Sequence, residues 1–161
     1  MTVAPLVDIE DLPPLLAREA RLLGLDVGTK TIGLALSDVT RSIATPYHTV
    51  RRTKFTHDAK AIAAAIAEYD IGALVIGLPI NLDGSEGPRA QSTRAFARNL
   101  AALVEVPLIF WDERLSTQAV ERHLIEADAS RKRRAEVIDR MAAAYILQGA
   151  LDRLKRLSEL R

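Results

Sequence analysis

Cysteine is absent from this chain, which removes disulfides, thiolate zinc sites and cysteine nucleophiles together. A reducing compartment suits such a sequence. Long apolar runs are missing too: nowhere do about 18 apolar residues follow one another, as a membrane-spanning helix requires. Met1 to Glu10 carries acids and lacks a basic start leading into an apolar core, so no export signal is read there and a cytoplasmic location is expected. Aromatic residues make up only 4%, and Tyr47, Tyr69 and Tyr145 do not form a stacking platform for single strands. His48, His57 and His123 show no metal-ligand spacing and read as surface or packing residues. Neither sign of charge dominates, with 22 Lys and Arg against 21 Asp and Glu. Without a global field, affinity for phosphate has to come from local clusters. These exist at Arg51-Arg52-Thr53-Lys54, Arg131-Lys132-Arg133-Arg134, and Arg153 to Arg156, although each taken alone reads as a solvated face.

What is present fits one domain, since 161 residues is close to the common domain size and long enough to bury a core. Residues 1–20, with Pro5, Pro13 and Pro14 and no sustained period, read as an N-terminal arm packing as one short helix. Residues 21–161 read as the domain. Segments 21–27, 31–37 and 43–50 look like three successive strands of an antiparallel meander. Ala59, Ile62, Ala63 and Ile66 then fall at helical spacing, predicting a helix over about 57–69. Ala73-Leu74-Val75-Ile76 and Leu108 to Trp111 are continuous apolar runs, as in strands buried on both faces. The helix between them, carrying Thr93, Phe96, Ala97, Leu100 and Val104, makes a right-handed crossover and so predicts a parallel pair. Two helices, about 116–127 with Ser116 as N-cap and about 132–155, complete the chain. The expected class is α/β: a five-stranded mixed sheet, three strands antiparallel and then two parallel, flanked by helices in the ribonuclease H-like arrangement.

Three acids stand where this order could bring them together. Asp26 ends the run Leu22-Leu23-Gly24-Leu25, Glu113 follows Leu108 to Trp111, and Asp139 lies in an alanine-rich helical stretch. If they meet at one end of the sheet, they form an anionic pocket of oxygen ligands suited to Mg²⁺ or Mn²⁺. The string Asp26-Val27-Gly28-Thr29-Lys30 fits a hairpin turn and a phosphate or metal site equally well, with Gly28 free to take positive φ and Gly33 admitting a close backbone or substrate. The loop from Gly77 to Arg89 follows a buried strand and precedes a helix, where open sheets bind ligands. Its Ser85 and glycines can offer amides to phosphate, and Arg89 would open the helix. Asp83 and Glu86 are weaker ligand candidates. Arg114 can simply offset Asp112 or Glu113. Asp139 shares a face with Ala135, Ala142, Ala143 and Ile146, small enough to let the helix lie close on the sheet and draw the carboxylate inward; a surface pairing with Arg140 or Lys132 is the plainer option.

At these residues the sequence resembles the YqgF (RuvX-like) family of pre-16S rRNA nucleases and Holliday junction resolvase homologues. The likeness is carried by Gly24 to Gly28 with Ile32-Gly33 and Ser37-Asp38, by Gly77-Leu78-Pro79 with Asp83 to Gly87, by Asp112 to Thr117, and by Ile138-Asp139 with Ala142-Ala143 and Ile146-Leu147-Gln148. It covers 21–152 and leaves the arm outside. The resemblance implies a cytoplasmic, metal-dependent nuclease that processes the 5′ end of pre-16S rRNA in ribosome biogenesis, with Asp26, Glu113 and Asp139 as its metal-binding, catalytic acids. Two ions are expected, with Asp26 bridging them, and Gly28, Lys30, Ser85, Arg89 and Arg114 are candidates for binding substrate. The implied partners are structured RNA, branched DNA under the resolvase alternative, and ribosomal particles, with the chain a monomer or weak homodimer. Two readings of other classes stand beside it. An actin-like or sugar-kinase-like ATPase would explain Asp26-Val27-Gly28-Thr29 but needs two such domains, and a non-catalytic RNA-binding module would use the basic clusters and leave the three acids unexplained.

Overall fold

A computed structural model describes residues 5–115 and 131–160. Strand β1 (Arg21–Val27), β2 (Thr31–Ser37) and β3 (Ala44–Arg51) are followed by helix α1 (Phe55–Glu68), β4 (Ile71–Leu78), α2 (Pro88–Ala101), β5 (Leu108–Asp112) and the long α3 (Arg131–Glu159). The sheet order is β3-β2-β1-β4-β5. β1 pairs antiparallel with β2, and β2 antiparallel with β3, while β1 with β4 and β4 with β5 are parallel. Meander and crossover are thus as the patterning predicts. The helix expected over 116–127, with Ser116 as its cap, lies outside the described residues. No helix among those described is long and apolar enough to cross a membrane.

Alternation along the strands creates two unlike faces. Leu23, Leu25, Val27, Ile32, Leu34, Leu74 and Ile76 point one way and bury large side chains against Ile62 of α1 and Phe96 and Leu100 of α2. The other phase of the period-two pattern makes the opposite face, where the small residues Gly24, Gly33, Ala35, Ala73 and Gly77 stand among the buried Leu22, Val75 and Ile109. α3 lies directly on that face. A Cβ on Gly24 would stand 2.9 Å from the Ala143 carbonyl, and one on Gly77 would stand 2.4 Å from Ile146 Cδ1. Ala143, Ile146, Leu147 and Leu151 fill the remaining space.

The arm departs from expectation. In place of one short helix it forms two 3-10 turns, Ile9–Asp11 and Pro13–Leu15. Pro13 and Pro14 have no amide hydrogen with which to carry a helix through. Upstream of these turns, Val7 N–H donates to Leu108 O and Leu108 N–H to Pro5 O, both at 3.0 Å, so the arm covers the open edge of β5. Leu12 is completely buried with the α3 side of the core.

Candidate functional site

The site forms at the carboxyl ends of β1, β4 and β5, neighbours in the sheet. Asp26 is directly opposite Gly33 in the β1–β2 register. Because Gly33 has no side chain, α3 can approach until the Asp139 carbonyl is 2.0 Å from where a Cβ would be. That contact sets Asp139 beside Asp26. The Asp139 carboxylate accepts a short hydrogen bond from the Thr31 hydroxyl and so points to the sheet, not to Arg140. Gly77 does the same for the third acid: its missing Cβ would stand 2.7 Å from Glu113 Oε1 and 2.9 Å from its Cγ. Glu113 therefore folds back over the end of β4 toward β1.

The three acids feel one another. Burial first, then a hydrogen bond to the Glu113 carboxyl and the charges of Glu113 and Asp139, push the Asp26 carboxyl up to about 8, opposed by the positive charge of Arg89. The Asp26 carboxyl is thus held well above the ordinary carboxylate range by burial and by its acidic neighbours. Among the described residues, no three acid, histidine or cysteine side chains are spaced as a ready-made ion cage. The donor set is entirely hard oxygen, which fits Mg²⁺ or Mn²⁺ once Asp26 ionises.

The remaining candidates have more varied surroundings. Gly28 does not take the expected positive φ, which among the described glycines belongs to Gly84 alone, at 89°. Its constraint is proximity: a Cβ there would lie 2.9 Å from the Thr31 carbonyl, to which Gly28 N–H donates at 2.8 Å. Lys30 is exposed in the same turn. Helix α2 opens with Pro88 after an N-cap at Gly87, so Arg89 sits in its first turn, exposed. A cleft of about 370 Å³ runs between Arg89, Asn81, Glu113 and Arg114. Ser85 N–H and hydroxyl bond Asp83 Oδ1 at 2.9 and 2.6 Å, which holds the Asp83 carboxyl below its usual range. Glu86 is gripped by Arg94 through two bonds of 2.6 and 2.9 Å. Both acids are thus committed to shaping the loop, and neither reaches Asp26. Arg114 is likewise paired with Asp112 at 2.5 Å.

Two features have no clear mark in the sequence. Thr31 reads as an ordinary strand residue, yet it orients Asp139. Arg52 reads as one member of a basic run, yet its Nη1 donates to the Gly28 carbonyl at 2.6 Å, its Nε lies 3.7 Å from the buried Asp58, and its guanidinium covers the Phe96 ring at 5.3 Å. Asp58 at least has a local signal: placed early in α1, it accepts the Thr53 N–H at 3.2 Å.

Comparison with known proteins agrees with this architecture. A family model described as "RuvX: Holliday junction resolvase" matches residues 20–153. A protein of Methylocella silvestris, named "Putative pre-16S rRNA nuclease", is 59% identical over 154 residues, covering 96% of each chain. Proteins of the same name from Paramagnetospirillum magneticum and Cereibacter sphaeroides are 62% identical over 92% of this chain and 96% of the relative, and 65% identical over 91% of each. Among solved structures, Thermus thermophilus RuvC bound to a Holliday junction substrate superposes with a TM-score of 0.53 at 14% identity, covering 83% of this chain and 95% of that one. The yeast mitochondrial Holliday junction resolvase Ydc2 gives 0.52 at 9% identity, over 95% and 88%. Those two likenesses establish the ribonuclease H-like fold; the family match and the identities above it, spanning both the β1–β2 turn and the helix that carries Asp139, establish that the chain belongs to the RuvX family.

Proposed function

We propose that this chain is a divalent-metal-dependent nuclease acting in the cytoplasm on the 5′ end of pre-16S rRNA during ribosome biogenesis. One observation carries the reading: Asp26, Glu113 and Asp139 meet at one sheet end, where crowding and burial raise the Asp26 carboxyl to about 8. Such self-repulsion costs stability and is relieved by a cation. Asp26, Glu113 and Asp139 would hold it. Bound there, Mg²⁺ or Mn²⁺ would polarise the phosphodiester and lower the pKa of an attacking water.

The chain's own groups have separable tasks. Asp26 gives up its proton, which its neighbours resist and Arg89 assists. Thr31 fixes the orientation of Asp139. Arg89, exposed in the first turn of α2, is placed to hold non-bridging phosphate oxygens. Lys30 and the Gly28 turn are suited to the same phosphate from the other side. Ser85 and Arg114 serve substrate only by leaving the bonds to Asp83 and Asp112 that they make here, so their part is secondary. The names borne by the relatives favour RNA, whereas the description of the family model favours a second reading, resolution of four-way DNA junctions.

The deciding experiment offers the purified protein a pre-16S rRNA fragment and a four-way DNA junction, each with Mg²⁺ and with Mn²⁺. Cleavage of the RNA, lost in Asp26→Asn, is the expected result. Cleavage of the junction alone would transfer the protein to the second reading, and cleavage of neither would end the nuclease proposal.

A further inference from the structure

Arg89 stands between two clefts, and only one of them belongs to the acidic site. The first, toward Glu113, is described above. The second, about 220 Å³, opens on the other side of Arg89 between the β1–β2 turn and α2, and is lined by Gly28, Thr29, Arg52, Arg89, Ser92 and Thr93. Among the described residues no acidic side chain lines it, in contrast to its neighbour. Two guanidinium groups and three hydroxyls make it a lining of donors.

The second cleft is also built. Arg52, whose side chain is 25% exposed, is fixed by the Gly28 carbonyl, the Phe96 ring and Asp58, so its position is set before any ligand arrives. Thr93 is 3% exposed and faces the cleft, and no hydrogen bond engages its hydroxyl among the described residues. No buried side-chain oxygen among the described residues lacks a hydrogen bond, so the Thr93 hydroxyl opens on the cleft and is available to a ligand there without giving up another partner. Asp58 offsets the Arg52 charge at 3.7 Å, whereas Arg89 has no ion pair within 4.0 Å among the described residues and supplies net positive charge where the clefts join.

We propose that this second cleft binds a phosphodiester of the substrate strand adjoining the one to be cut, with Thr93 and Arg52 as its fixed donors and Arg89 shared between the two phosphates. The inference rests on the nuclease reading for the identity of the strand. It gives Thr93 a positioning role, because the residue would hold substrate in register without touching the reacting atoms.

The test is a scan of a single-stranded pre-16S rRNA fragment in which one linkage at a time is made an uncharged methylphosphonate, with binding measured without divalent metal. In the wild-type protein, neutralising the linkage seated in the second cleft is expected to weaken binding about tenfold, the scale of one hydrogen bond to a charged group. In Thr93→Val, similar in shape, that sensitivity is expected to fall below about threefold at this position only, while Thr93→Ser retains it. A scan identical in wild type and Thr93→Val overturns the proposal, whether or not the protein cleaves. The position-specific loss without cleavage of any RNA would keep the cleft as a phosphate site and remove the nuclease reading alone. Should Thr93→Val fail to fold, Ser92→Ala, on the exposed rim, is expected to lower the same sensitivity about threefold, and no change in it would equally overturn the proposal.

Discussion

Asp26 and Asp38 sit one strand apart and carry opposite electrostatic histories. Asp26 is raised to about 8 from an ordinary 3.8. Between these values the folded chain retains a proton that the unfolded chain has lost, so ion-free stability falls as pH rises from about 4 to 8. The melting temperature without divalent metal is therefore expected to decline from pH 5 to pH 8, to decline much less in Asp26→Asn, and to recover in wild type when Mn²⁺ is added at pH 8. A flat profile in wild type would mean that the acids do not repel one another as the geometry requires. The same variant is expected to lose more than about a hundredfold in cleavage, beyond the cost of losing a residue that merely supports a ligand, because Asp26 is the residue proposed to hold the metal. Asp38 is the reverse case. Backbone amides of Ile43 and Ser42 at 3.0 and 2.8 Å, together with the Thr40 hydroxyl, lower it to about 2. Its contribution is present above the unfolded pKa near 4 and is lost as pH falls toward 2. Allowing for solvent at this partly exposed turn, Asp38→Ala is expected to cost about 1–2 kcal/mol at pH 7, checked by urea titration, with metal affinity unchanged.

At the scale of elements, the face that α3 covers decides the site. Strands are legible as turn-bounded segments in the meander and as continuous apolar runs at β4 and β5, and the crossover follows from connection rules. The reach of the two acids from β5 and α3 was less legible, since it depends on glycines whose effect is an absence of atoms. Gly33 illustrates this: the sequence suggests a close approach there, and the structure makes the visitor Asp139's own backbone. Gly77 gave no such hint, yet it admits both Ile146 and Glu113. The arm was misread as a helix because Leu12 and Leu6 carry no period, and their burial or pairing depends on partners far along the chain. Arg52 was hidden for the same reason, its partners Gly28 and Phe96 being remote in sequence. Gly33→Ala tests the element directly. Its new Cβ would overlap the Asp139 carbonyl, so α3 must lift, at a cost of about 1–3 kcal/mol or more, and cleavage should fall with stability. Gly87→Ala, whose Cβ would meet only the Asn81 side chain at 3.4 Å, is the control and is expected to cost about 0.5–1 kcal/mol, the loss of a favoured N-cap residue, with cleavage retained. Equal stability of the two variants would contradict the close docking of α3.

For the whole molecule, the near balance of 22 basic and 21 acidic residues means that attraction for a polyanion has to be organised locally. Three of the acids are gathered at the site, and those would repel the substrate unless a cation and nearby arginines reverse the field. Arg52 is already engaged with Asp58 and Arg94 with Glu86, which leaves Arg89 at the junction of the clefts. The cluster Arg131, Lys132 and Arg133 begins α3, the helix that carries Asp139; its side chains lie outside what the structure describes. Position along the chain nonetheless sets a clear expectation. A substrate strand that crosses the site at Asp139 has phosphates on both sides of the cut, and the first turns of α3 are two turns of helix from that carboxylate. Replacing all three by Glu is expected to weaken binding of a pre-16S rRNA fragment and to flatten its dependence on salt, each lost phosphate contact removing about 0.7–0.9 from the log–log slope. Cleavage at saturating substrate should persist, because the substitutions precede Asp139 along the helix and leave Asp26, Glu113 and Asp139 in place. Binding and salt slope unchanged in the triple variant would place the strand elsewhere, along Arg89 and the turn at Lys30, and would make the start of α3 a solvated face.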